Sequence, residues 1–304
     1  MTRLLSALPL NRRPHILTTD GEFHSIRRQL DRLAEARLTV AKVAATPTET
    51  LADRLIDALD DRTACVLVSS VLFSTAEIVP GLDRVQAACD RHGATLLIDA
   101  YHYLNAVPFD IRTLGVDNAF ITGGGYKYCQ LGEGNCFLRV PDGCRLRPVL
   151  TGWFAEFDAL ERASDGGVAY APGAGAFAGA TYDPTSHYRA AAVLTFQRDQ
   201  GLNPGELRRI SCRQVQLLKS AIEALDFPRR VAAVEQIPDE RRAGFLRFAL
   251  REPSIWRGRC VVVACSSMRA VTSCAWVPLP TWPTSSCGMR WQSWATSCAR
   301  SRSM

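Results

Sequence analysis

The chain has 304 residues, is 47% hydrophobic and 22% charged, and carries a formal net charge of +6. That length allows one large domain or two ordinary ones, and the composition excludes a collagen, an acidic disordered chain and a pure coiled coil. No apolar run approaches the roughly 18 residues of a membrane span, and the start MTRLLSALPLNRRP does not read as a convincing signal peptide. A cytoplasmic protein without a membrane partner is the expectation.

Short apolar runs alternate with helical patterns along residues 1–140. RPHILTT (13–19) reads as a strand and FHSIRRQLDRLAEA (23–36) as an amphipathic helix. LTVAKVAA (38–45) is a strand, and TPTETLADRLIDALDD (46–61) a helix with Glu49 three residues after Thr46, a capping-box spacing. ACVLVSSVL (64–72) is a strand, and EIVPGLDRVQAACDRHG (77–93) a helix ended by Gly93. Further strands are ATLLIDA (94–100), NAFITGG (118–124) and NCFLRVP (135–141). Near-continuous apolar strands alternating with helices predict an α/β fold, a mainly parallel sheet flanked by helices. Ligands in such sheets bind at the carboxyl ends of the strands. That points to the loops at 17–23, 69–75, 99–103 and 123–128. Residues 151–185 are Gly- and Ala-rich and irregular, and 186–200 and 205–225 read as two helices.

The charge is unevenly placed. All 30 acidic residues lie at or before Glu252, where 30 Lys plus Arg balance them, so the excess is six Arg between Arg257 and Arg302. The last 52 residues hold no acid, yet carry five of the six Trp and five of the eleven Cys. Such a tail could stack on single-stranded nucleic acid. Its composition is better explained by a GC-rich gene read out of frame, which the chain's 33 Arg against 3 Lys fits. Nucleic acid is therefore not an expected partner of the neutral body. Its six Cys show no CxxC and no metal spacing, so no metal site is expected.

The most informative stretch is LLIDAYHYLNAVPFDIRTLGVDNAFITGGGYKYCQLGEGNCFLRV (96–140). Asp99 ends a strand, His102 follows three residues on, and Lys127 stands after a further strand and three glycines. Lys can be deprotonated and form a Schiff base, whereas Arg cannot. The glycines would let a ligand approach the backbone closely. The run is not a P-loop.

Asp99-Ala100-Tyr101-His102, Tyr126-Lys127 and the strand GEGNCFLR (132–139) resemble the pyridoxal phosphate (PLP) site of class V aminotransferase-fold enzymes, and kynureninase most. The likeness runs from about residue 13 to about 225. It implies the PLP-transferase fold type I and a PLP-dependent enzyme acting on a small amino-acid substrate. The reaction would be hydrolytic C–C cleavage, transamination or β-elimination. It implies Lys127 as the Schiff-base lysine and proton shuttle, Asp99 facing the pyridine nitrogen, and His102 contacting the cofactor ring region or substrate. Tyr126 resembles the tyrosine that reaches the phosphate. Phe23 sits where the family stacks an aromatic on the cofactor, and equally suits a helix-start staple. Ser70 resembles a Ser/Thr near the cofactor, or is a turn residue. Trp153 in TGWF and Thr181 in GATYDPTS resemble phosphate-reaching loops, the second across a homodimer interface.

The resemblance also implies a domain plan. Residues 1–185 would be the PLP-binding large domain, lacking an N-terminal segment with the phosphate loop. Residues 186–252 would begin an incomplete small C-terminal domain, and 253–304 would be a frameshifted or disordered tail. The region after 225 would ordinarily supply an Arg for the substrate carboxylate. A truncated, catalytically inactive remnant is the alternative reading.

Overall fold

The computed structural model describes residues 1–36, 38–160, 166–224, 232–234, 236–250 and 261–264. The chain divides into two compact units. The first comprises Met1–Phe73, Ile78–Leu104 and Phe109–Gln200; the second comprises Ser74–Glu77, Asn105–Pro108 and the chain from Gly201.

The first unit is built on a six-stranded sheet of β1 (His15–Thr19), β2 (Thr39–Val43), β3 (Thr63–Ser69), β4 (Thr95–Asp99), β5 (Phe120–Gly124) and β6 (Cys136–Arg139). Its order is β2-β1-β3-β4-β5-β6, parallel throughout except for the antiparallel β5–β6 pair. Every residue of β3 is buried, as an apolar strand in the middle of a parallel sheet must be. The edge strand β2 is largely exposed.

Alternation along the strands sends Ile16, Cys65, Leu67 and Leu97 to one face. There they pack with Leu4 and Leu5 of α1 (Thr2–Ala7), Ile26 and Leu30 of α2 (His24–Glu35), and Phe177. Helices α3 (Leu51–Asp57) and α4 (Leu82–His92) pack on one another; α3 contacts β2, and α4 contacts β3 and β4. Gly93 closes α4 in the left-handed region at φ 59°, the conformation that only glycine adopts without a steric penalty.

The capping box expected at Thr46 does not form. The Thr46–Pro47 peptide is cis, a 3-10 turn occupies Thr48–Thr50, and α3 begins at Leu51 without a side-chain cap. Pro47, not Thr46, is the residue that precedes this turn, and its side chain has no group that could cap it.

Helix α5 (Thr185–Asp199) groups with the first compact unit, whose last segment ends at Gln200. The reason is a set of bonds to the loop before β6. Arg189 Nε donates to the Leu131 carbonyl at 2.8 Å, and Asn135 Nδ2 donates to the Ser186 carbonyl at 3.0 Å.

The second unit holds α6 (Pro204–Glu223) and a small antiparallel sheet, β7 (Ala232–Val234), β8 (Phe245–Leu250) and β9 (Val261–Ala264), in that order. Asn203 caps α6 by accepting from Glu206 N at 3.0 Å, and Pro204 opens the helix where no N–H is needed. Of the Arg-rich tail from 253, only Val261–Ala264 lies among the described residues, as strand β9; the rest of that expectation lies outside them, as does most of the 225–235 segment.

Candidate active site

Four loops at the carboxyl ends of β1, β3, β4 and β5 bring their side chains together, as the parallel sheet predicts. They contribute Phe23, Phe73, Tyr101 with His102, and Tyr126 with Lys127. The Lys127 amine is the centre. Its Nζ lies 2.7 Å from His102 Nε2. It also lies 5.0 Å from the Phe23 ring centroid, 5.5 Å from Tyr101 and 6.0 Å from Tyr126. Phe73 and Phe23 flank His102 at 5.6 and 6.2 Å between ring centroids, and meet each other edge-on at 5.2 Å.

This enclosure sets the charge states. Burial lowers the Lys127 amine to about 8, against an opposing pull from Asp99. Burial, then the Lys127 charge, holds His102 well below the ordinary imidazole range, so His102 is neutral at pH 7. The Lys127 ammonium therefore donates to an unprotonated Nε2, which assigns the His102 proton to Nδ1.

Asp99 is the last residue of β4 and 9% exposed. Its carboxyl accepts from Tyr101 N at 2.9 Å. Burial raises its pKa, and the Tyr101 N–H and the Lys127 charge work against that rise. Ser70, fully buried, spends both backbone N–H and hydroxyl on the Asp99 carbonyl, each at 2.9 Å. It thereby fixes the end of β4.

The three glycines do not hold space open for a ligand. A Cβ on Gly124 would stand 2.1 Å from Tyr101 Cε1, one on Gly123 2.6 Å from Leu104 Cδ1, and one on Gly125 2.7 Å from Leu131 Cβ. Protein side chains already fill the room. Glycine is required here so that Tyr101 can lie against β5 beside Lys127.

Tyr126 packs at 5.7 Å from Tyr101, and burial pushes its hydroxyl up to about 12, so it stays protonated. Trp153 belongs to a second grouping. It is 44% exposed and packs on Phe154 and Phe157 at 4.4 and 5.4 Å. Phe154 N donates to the Gly179 carbonyl at 3.0 Å, which brings the Trp153 segment beside the exposed Thr181 segment.

Sequence reasoning missed Phe73, Tyr101 and Glu22. Phe73 and Tyr101 stand in loops expected to face the ligand, and Tyr101 lies inside the Asp-x-x-His motif. Glu22 carried no signal beyond its place next to Phe23.

The aminotransferase class-V family model matches residues 2–132, which include Asp99, His102 and Lys127. A 2-aminoethylphosphonate–pyruvate transaminase of Paraburkholderia xenovorans (strain LB400) is 39% identical over 54 residues, 18% of this chain and 14% of that protein. Among solved structures, a C-DES mutant with glycine covalently linked to its PLP cofactor superposes with a TM-score of 0.69 at 20% identity. That alignment covers 87% of this chain and 72% of the other. A cysteine desulfurase from Thermococcus onnurineus NA1 superposes with a TM-score of 0.64 at 17% identity, over 81% of this chain and 60% of that one. C-DES, a cystine C-S lyase, is also solved with its product cysteine persulfide; there the TM-score is 0.62 at 22% identity, over 78% and 61% of the two chains. The fold is that of the class V aminotransferases, the fold type I arrangement of a mainly parallel sheet between helices. The chain spans only 14% of the curated relative it matches and 60–72% of these solved ones.

Proposed function

We propose that the chain is a PLP-dependent enzyme acting on an amino-acid substrate, with Lys127 as the lysine that carries the cofactor. The Lys127 amine carries the reading. At its ordinary value a lysine is neutral in about three molecules in ten thousand at pH 7; held at about 8 it is neutral in roughly one in eleven. Such an amine can act as nucleophile and as base near neutrality.

The donor set fits the group. Asp99 would take the pyridine nitrogen, since a facing carboxylate favours the protonated ring. Lys127 would take the aldehyde carbon, and His102, Phe23 and Phe73 would flank the ring. When bound, PLP supplies an electron sink for bond cleavage at the substrate's α-carbon. Lys127 moves the α-proton, and His102 orients its amine through the 2.7 Å bond. Ser70 acts through Asp99, and Tyr126 is a protonated donor beside the lysine. Trp153 and Thr181 are assigned to the cofactor phosphate on the family resemblance alone.

The test is to load the full-length chain with PLP and reduce with borohydride. The wild type gains a pyridoxyl mass on the peptide containing Lys127, and Lys127→Ala does not. No trapped mass in well-folded wild type would defeat the reading.

Two reaction types compete. The Asp99–His102 and Tyr126–Lys127 motifs resemble kynureninase and favour hydrolytic C–C cleavage. The C-S lyase and cysteine desulfurase neighbours support elimination on a sulfur amino acid. Anthranilate release from kynurenine against persulfide release from cystine separates them; a new amino acid from a keto-acid acceptor would indicate transamination. Val149, Phe157, Tyr188 and Phe196 are 56–79% exposed. Such apolar surface supports a homodimer, which sedimentation tests. The same surface favours the second reading, an inactive remnant, and that reading requires a chain that fails to retain PLP.

A further inference from the structure

The described mechanism leaves one buried acid unused. Glu22 follows β1, precedes Phe23, and is 7% exposed. Thr19 Oγ1 donates to its Oε1 at 2.8 Å, and Ser69 N donates to the same oxygen at 3.2 Å. Its Oε2 lies 2.5 Å from Ser69 Oγ. These partners are hydroxyls and an amide, none of them a cation. A buried carboxylate without a cation is costly.

Glu22 also has a like-charged neighbour. Ser69 ends β3 in register with Asp99 at the end of β4, on the same face of the sheet. Asp99 is the charged group that acts on Glu22, while Thr19 on β1 and Ser69 on β3 carry no charge. Lys127, in the loop after β5, and the amino group of Met1 pull on Asp99.

We propose that Glu22 is a positioning residue: its buried carboxyl, accepting from Thr19 and Ser69, locks the end of β3, and with it Asp99, to the loop that carries Phe23. The proposal rests on the PLP reading for what Asp99 faces. The Asp99 charge opposes ionisation of Glu22, while the hydrogen bonds from Ser69 and Thr19 favour it.

Burial, reinforced by Asp99, raises the Glu22 carboxyl from 4.5 to about 7 despite the Ser69 and Thr19 hydrogen bonds. A group raised in the folded state contributes stability that is complete below about 4.5 and lost as pH rises through about 7. Glu22→Gln keeps the shape and most of the hydrogen bonds but cannot ionise.

The test is urea unfolding of full-length wild type, E22Q, D99N and the double variant between pH 5 and 8, without cofactor. Contributions of His102 and Lys127 are common to the pair compared and cancel. The wild-type midpoint is expected to fall relative to E22Q across that range, and by less when Asp99 is replaced by Asn. A constant gap, or one whose pH dependence ignores Asp99, overturns the proposal. If E22Q does not fold, Ser69→Ala serves: it removes a bond that favours the ionised acid, so the pH-dependent step moves upward, and an unmoved step refutes the idea. In PLP-loaded protein the cofactor absorbance should show a step near neutrality that E22Q lacks; the same step in both refutes the proposal. If neither protein shows cofactor absorbance, the PLP reading fails, while unfolding without cofactor still judges Glu22.

Discussion

The contact between Gly124 and Tyr101 gives the sharpest steric test of the site. A Cβ at Gly124 would fall 2.1, 2.8 and 2.9 Å from Cε1, Cζ and Cδ1 of Tyr101. Three atoms of one rigid ring lie on the approach, so a rotamer change of a flexible tip cannot relieve it. To reach ordinary contact the ring must retreat by about 1.3 Å. Tyr101 is not free to do so: its N–H is held by the Asp99 carboxyl at 2.9 Å, and its ring lies 5.7 Å from Tyr126. Forcing an extra carbon into a packed site costs about 1–3 kcal/mol. For a unit of this size that lowers the melting temperature by about 2–12 °C. Gly124→Ala should therefore melt early and trap less PLP with borohydride. Gly167→Ala, where an added Cβ meets nothing within 4 Å, should behave as wild type. Truncating the ring in G124A/Y101A should recover part of the loss, a coupling that a double-mutant cycle measures. G124A melting with G167A, or no recovery in the double variant, would refute the packing argument.

The remaining predictions follow from single groups. The Lys127 amine at about 8 implies that the PLP-trapping rate rises about tenfold per pH unit below that value and levels above it; a rate still climbing at pH 10 would contradict a lowered pKa. Ser70→Ala loses a buried bond to the Asp99 carbonyl and should cost about 0.5–1.5 kcal/mol in urea unfolding. Asn203→Ala removes the cap of α6 and should cost about 1 kcal/mol, with faster amide exchange at Glu206. Arg189→Met releases the carbonyls of Leu131 and Glu133 and should speed exchange in the Gly125–Asn135 loop, where Gly125 and Leu131 bond to each other.

Elements whose burial is settled locally were readable in the sequence. β3 is apolar at nearly every position because both faces are covered, and its run of residues announces that. Gly93 ends α4 because the left-handed region suits glycine, and a glycine after an amphipathic pattern is an open sign of it. Thr46 misled because its spacing to Glu49 does not fix where the first turn starts. The turn follows Pro47, and α3 begins only at Leu51. The place of α5 depended on Arg189 and Asn135 reaching another loop, and pair contacts across some fifty residues leave no periodicity to read.

The site shows the same divide more sharply. Lys127 stood out because it is one of three Lys in an Arg-rich chain, and its nearness to Asp99 and His102 was legible because strand ends converge in a parallel sheet. Their environment could not be chosen that way. The glycines before Lys127 suggested room for a ligand, yet the space is filled by Tyr101, Leu104, Phe137 and Leu131. A glycine says only that no side chain starts there, not what occupies the place. Glu22 is the converse. Its residue type predicts a solvated surface, and its burial follows only from the hydroxyls of Thr19 and Ser69 meeting across two strands. Burial raises an acid held there to about 7, because its neighbours solvate it without neutralising it. Burial raises Asp99 as well, and there the Tyr101 N–H and the Lys127 cation oppose the rise. The charge pattern of the site is thus a property of strand register, Ser69 beside Asp99, as much as of the residues that carry the charges.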